Sequence, residues 1–165
     1  MLGPDHPTTL TAAGNLAVYF NQGTYGEAAG LHQHAFTGRD AIFGPDHPDT
    51  LASADDLANL YYEEGRCEEA KALHHRAFSG HETALGPCHP DTLVSANNLA
   101  NLYCDQGRYD EAEMLYQRAF SEYKKIFDLN HLGTLTFVDN LVYIYPAQGK
   151  CCRAAALCQY AFSGR

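Results

Sequence analysis

The chain has 165 residues, 45% hydrophobic and 19% charged, which suits a packed domain or a short array of repeats and not a disordered segment. Its net charge of −9 comes from acid spread along the whole length, which argues against nucleic acid or an anionic membrane surface as partner, since both need clustered Lys and Arg. No apolar run approaches the ~20 residues of a membrane-spanning helix, and the N-terminus lacks the regions of a signal peptide.

The chain opens on a phrase, GPDHPTTL (Gly3–Leu10), that returns as GPDHPDTL from Gly44, as GPCHPDTL from Gly86 and, without its Gly-Pro pair, as DLNHLGTL from Asp128. Its histidines, His6, His47, His89 and His131, lie 41, 42 and 42 residues apart, and Gly23, Gly65, Gly107 and Gly149 recur at a strict 42. A period of this length marks a repeat architecture, here of four units. The first unit is one residue short: NLAVY (Asn15–Tyr19) stands where the third has NLANLY (Asn98–Tyr103). Inside a helix that loss is about 100° of rotation. Gly14, Gly26, Gly30 and Gly38 also fall in or beside its helices, each expected to cost up to ~1 kcal/mol relative to Ala.

The second phrase reads as a joint. Gly44 ends one helix and Pro45 forbids its continuation. Asp46 or His47 is placed to cap the next, Pro48 suits its first turn, and Asp49 puts negative charge at the positive end of its dipole. A histidine between two aspartates also suggests a metal. Stacked repeats, however, lie about 10 Å apart, too far for equivalent histidines to share an ion with bonds of ~2 Å. Within one helix, His32 and His34 diverge, as do His74 and His75, whereas chelation needs i, i+4 spacing. Cys67 and His74 are two turns apart, roughly 10 Å.

In the third unit Leu93, Ala96, Leu99, Ala100, Leu102 and Tyr103 follow helical spacing up to Gly107, and Tyr109, Ala112, Leu115, Tyr116, Ala119 and Phe120 begin a second stripe. Helices joined by so short a turn lie antiparallel. His32, His74, Tyr116 and Cys158 share one position in successive units and read as filler between helices. In the fourth unit Pro146 is expected to bend or shorten the first helix. Cys151 takes the place of Tyr25 and Tyr109 and is expected to pack, with Cys152 exposed. The six cysteines are unevenly spaced, with no CxxC, and suit a reducing, cytoplasmic setting. No phosphate loop, nucleophile elbow or zinc-protease motif occurs, so no catalytic residue, cofactor or metal is assigned.

The run NNLANLYCDQGRYDEAEMLYQRAF (Asn97–Phe120), with the GPxHPDTL joint, resembles the tetratricopeptide repeat. It is most similar to the 42-residue form of kinesin light chains, nephrocystin-type proteins and the sensor arms of NTPase immune-like receptors. Leu99, Ala100, Tyr103, Gly107, Tyr109, Ala112, Tyr116 and Ala119 sit at family positions, and the likeness covers nearly the whole chain. It implies an all-α fold, a right-handed superhelical solenoid of antiparallel helix pairs with about eight helices. The implied organisation is a single array over 1–165, with repeats near 8–43, 48–85, 90–127 and 132–165, the last without a capping helix.

The resemblance further implies a concave groove, lined by the first helix of each pair, in which the family binds peptides. Carried over by register, the groove residues are Asp55, Asn59, Tyr62 and Glu63 in the second unit. In the third they are Asn97, Asn101 and Asp105, and in the fourth Asp139 and Tyr143; Ala52, Val94, Cys104, Thr136 and Pro146 are groove positions too, as are Thr11, Gly14, Phe20 and Asn21 in the first unit. The asparagine amides can both give and take hydrogen bonds with a peptide backbone. Asp55, Glu63, Asp105 and Asp139 with no Lys or Arg suit a basic or neutral peptide better than an acidic one. The expected function is a non-enzymatic protein-interaction scaffold. One alternative is a self-assembly element of a longer array, such as a receptor sensor arm, pairing through uncapped ends and the stripe Leu157, Ala161 and Phe162. A remoter one is a metal or redox sensor built on the nine histidines and six cysteines.

Overall fold

The computed structural model describes residues 9–11, 25–126 and 132–163. Its helices are α1 (Tyr25–Phe43), α2 (Pro48–Glu63), α3 (Cys67–Leu85), α4 (Pro90–Asp105), α5 (Tyr109–Ile126), α6 (Leu132–Ala147) and α7 (Cys151–Ser163), with no strand among the described residues. Residues 9–11 are helical too and belong to the expected first helix of the first repeat. The one-residue shortfall at Asn15–Tyr19, with Gly14, Phe20, Asn21 and His131, lies outside the described residues. The chain forms two compact units, residues 1–86 and 87–165. In the first, α1 packs on α2 and α2 on α3; in the second, α4 packs on α5, α5 on α6 and α6 on α7.

The recurring phrase starts the helices. His47 precedes α2 with extended backbone, and its Nδ1 accepts the Asp49 N–H at 3.2 Å; His89 does the same for α4 from Asp91 at 3.3 Å. Pro48 and Pro90 fill the first helical position, where no N–H is needed. The His47 ring also stacks on Phe43, centroids 4.7 Å apart. Of the two capping candidates it is therefore the histidine that caps.

The marker glycines stop the first helices. Gly65, Gly107 and Gly149 have φ of 78°, 71° and 73°, a region L side chains avoid. The next residue then closes the end: Arg66, Arg108 and Lys150 each donate a backbone N–H, at 2.8 Å, to the carbonyl of Tyr61, Tyr103 and Tyr145. The Arg66 and Arg108 guanidinium groups fold back over the Tyr61 and Tyr103 rings at 3.6 and 4.4 Å. Pro146 does not shorten its helix: α6 has 16 residues, like α2 and α4. Pro146 lies one residue from the helix end, and the closing bonds from Gly149 to Pro146 and from Lys150 to Tyr145 remain.

Leu51, Ala54, Leu57, Ala58 and Leu60 of α2 are buried, against Ala70 and Ala77 of α3 and, at Leu60, Ala29 and Leu31 of α1. In the second unit the core runs through Leu93, Leu99, Ala112, Ala119, Leu141 and Ile144. Gly38 and Gly80 occupy one position in successive repeats. A Cβ there would fall 2.7 Å from a Leu10 methyl or 2.6 Å from a Leu51 methyl, and both leucines are fully buried. Gly38 is thus a packing residue and not merely a weak helix former. Glu113, 7% exposed in α5, ties down the fourth hairpin through Lys150 Nζ and, at 3.2 Å, Arg153 Nη1.

Candidate functional site

The solvent-facing sides of α2 in the first unit, and of α4 and α6 in the second, carry the expected groove residues. On α2, Asn59, Tyr62 and Glu63 are exposed, as expected. Asp55 is not: it is 6% exposed, with Oδ1 2.8 Å from Nδ1 of His74, itself 2% exposed. Burial and this bond remove Asp55 from any solvent-facing set. They also change the reading of His74, which is a polar partner to the first helix and not inert filler. His32, the same position one repeat earlier, is also buried; burial pushes its imidazole below the ordinary histidine value, against the opposing pull of Asp56.

On α4 and α6, Asn101, Asp105, Asp139 and Tyr143 are exposed and Asn97 half-buried; Tyr143 is 74% exposed. Asn97 Oδ1 accepts from Asn140 Nδ2 at 2.8 Å, so two adjacent first helices are linked by an amide pair. Asn101 Oδ1 accepts from the buried Tyr116 hydroxyl, which also lies 3.7 Å from Cys104 Sγ. Burial, the Cys104 thiol and nearby Asp105 all push that hydroxyl upward, so it remains a donor. His74 and Tyr116, read from sequence as one filler position, therefore each hold a polar side chain of the preceding helix. Chain position conceals these pairings, since the partners lie 19 and 15 residues apart. The available signal was a hydrogen-bonding residue recurring opposite a polar one.

Charge is divided by helix. Neither Lys nor Arg occurs in α2, α4 or α6, and the 11 cations of the chain all lie in the turns that follow those helices, in the remaining helices, or at Arg165. Most are matched locally: Arg66 with Glu69 and Glu64, Arg108 with Glu111, Lys125 with Glu122, Arg76 with Asp40, and Lys150 with Glu113. Glu63 and Asp139 form no ion pair among the described residues.

The six cysteines are free. Cys151, expected to pack, is exposed along with Cys152 at the start of α7. Cys88 Sγ donates to the Glu122 carboxylate at 2.8 Å, and this bond pushes the thiol up. Among the described residues, no group of three or more His, Cys, Asp or Glu is placed to hold a metal ion, and no helix is long and apolar enough to cross a membrane.

A family model described as Tetratricopeptide repeat matches residues 17–83, 51–125 and 91–159. Among solved structures, a Podosopora anserina protein of kinesin light chain type, with nearly identical TPR-like repeats, is 27% identical with a TM-score of 0.88; the match covers 96% of this chain and 75% of that one. BtubC (BKLC) from P. vanneervenii is 19% identical with a TM-score of 0.86, over 97% of this chain and 65% of its own. MamA is 14% identical with a TM-score of 0.69, over 98% and 79%. These last two speak to the fold alone. No curated protein matches the chain.

Proposed function

The chain belongs to the tetratricopeptide-repeat family, in its kinesin light chain-like form, and we propose that it is a cytoplasmic protein-binding scaffold that takes a basic or neutral peptide on its exposed first-helix faces, α2 in the first unit or α4 and α6 in the second. Scaffolds of this family are generally not enzymes, and the reading assigns the chain no reaction. The observation that carries the peptide class is the division of charge. The first-helix faces keep Glu63, Asp105 and Asp139 in solvent and hold no cation, whereas the cations elsewhere are mostly matched by neighbouring acids. A cationic segment gains attraction there, and an acidic one meets only like charge. Asn97 and Asn101, held by Asn140 and Tyr116, supply fixed amides for an extended backbone.

Selection from a random phage-displayed peptide library, followed by synthesis of the enriched peptides, tests this. Enrichment of Lys and Arg over Asp and Glu is expected, with binding at least tenfold weaker to an Asn97→Ala/Asn101→Ala double variant whose helicity is intact by circular dichroism. Enrichment of acidic peptides would overturn the charge preference. Indifference to the double variant would overturn the assignment of the face.

A further inference from the structure

The start of α6 departs from its counterparts at two residues one turn apart on the same face, both against Tyr123. Gly133 stands where α2 and α4 have Asp49 and Asp91, and Phe137 stands where they have Ser53 and Ser95. A Cβ on Gly133 would fall 2.5 Å from ring atoms of Tyr123, so the missing side chain lets that ring lie against the first turn of α6. The Tyr123 and Phe137 rings meet at 5.5 Å with a 55° tilt. Between α4 and α6 this leaves a pocket of about 170 Å³, with buried Leu93 and Phe137 and the Tyr123 ring in its lining. Val94, 55% exposed, Asn97 and Thr136 complete the lining. An apolar cavity of about 150 Å³ holds a benzene molecule, so this one admits a leucine- or phenyl-sized side chain.

The polar groups around it are arranged for a peptide. Asn97 Oδ1 is engaged by Asn140, which leaves Asn97 Nδ2 to donate and Asn140 Oδ1 to accept, as the carbonyl and N–H of an extended chain require. Asp139 is exposed one turn beyond Thr136 on α6, within reach of a residue flanking the one in the pocket. No Lys or Arg lies on either helix.

We infer that this pocket is the anchor site for a peptide carrying a large apolar side chain next to Lys or Arg, the apolar group filling the space over Phe137 and Tyr123 and the cation meeting Asp139. The inference rests on the scaffold reading above and narrows it to one anchor residue and one charge contact. It concerns the second unit alone, and its floor comes from Gly133 and Phe137, which the other described joints lack.

Fluorescence anisotropy on the full chain tests it with three synthetic Gly/Ser peptides whose central residues are Lys-Leu-Lys, Lys-Ala-Lys and Glu-Leu-Glu. The Lys-Leu-Lys peptide is expected to bind at least tenfold tighter than either of the others. Val94→Phe, at an exposed position that tolerates bulk, should crowd the mouth and bring Lys-Leu-Lys to the level of Lys-Ala-Lys. Asp139→Lys should weaken both lysine peptides and strengthen Glu-Leu-Glu. Equal binding of the leucine and alanine peptides, or indifference to Val94→Phe, would overturn the pocket. If both lysine peptides bind equally but are lost in the Asn97→Ala/Asn101→Ala variant, the face stands and the pocket falls. Absence of binding by all three overturns the pocket, and the library selection then judges the face separately.

Discussion

His47 uses one ring nitrogen to cap α2 and its ring face to cover Phe43, so a residue flanked by aspartates serves the joint. His47→Ala removes the acceptor for the Asp49 N–H, and a loss of about 1 kcal/mol is expected, as for other helix caps. His47→Asn, which offers an amide oxygen, should restore most of it. Urea midpoints for the three proteins check this; an unchanged midpoint in the alanine variant would assign the phrase to its glycine and prolines alone. His32 supplies a pH dependence. Burial lowers its value in the folded chain, so between the folded and unfolded values the unfolded chain binds more protons and stability rises with pH. The contribution is complete above the unfolded value of about 6.5 and is lost as pH falls from there toward the folded value. His32→Gln should therefore lose less stability than the parent when urea melts are compared at pH 7.5 and 5.5, and an equal loss would place the acid sensitivity in other groups.

The helices and their turns were legible because their signals are local: a capping histidine, a proline in the first turn, and a glycine where the backbone turns left-handed. What faces a residue across a helix pair is not local, and there the reading by position failed. Nothing near Asp55 in sequence announces His74, Cys151 inherits a position where tyrosines stand but not their surroundings, and Gly38 looked like a defect until Leu10 lay across from it. Pro146 does not shorten its helix, since a proline in the last turn removes a donor from a helix that is already ending. Two glycines make the distinction measurable. Gly30 in α1 is exposed, with open space where a Cβ would go, so Gly30→Ala should stabilise the chain by about 0.5–1 kcal/mol through helix propensity. Gly80 in α3 presses on the methyl groups of fully buried Leu51, so Gly80→Ala should cost about 1–3 kcal/mol despite the same propensity gain. Denaturant midpoints of the two variants moving in the same direction would contradict this assignment of Gly80 to packing.

At the scale of the whole chain, the net charge of −9 matters less than where the cations stand. A protein this acidic repels acidic partners weakly everywhere, but exposed carboxylates on α4 and α6, helices that contain no lysine or arginine, give a cationic peptide a preferred place to arrive. Attraction of that kind acts through solvent and is screened over about 10 Å at 0.1 M salt. An exposed pair contributes about 0.2–1 kcal/mol, so the contact with Asp139 makes the affinity for a Lys-Leu-Lys peptide fall by up to about fivefold between 50 and 500 mM NaCl. The leucine contribution should persist, because burial of apolar surface is not screened by salt. The affinity gap between the leucine and alanine peptides should then stay constant across the titration while both weaken in parallel, and Asp139→Lys should flatten the salt dependence without closing the gap. A gap that shrinks with salt would mean that the pocket and the carboxylate act as one electrostatic site and not as an apolar anchor with a charged neighbour.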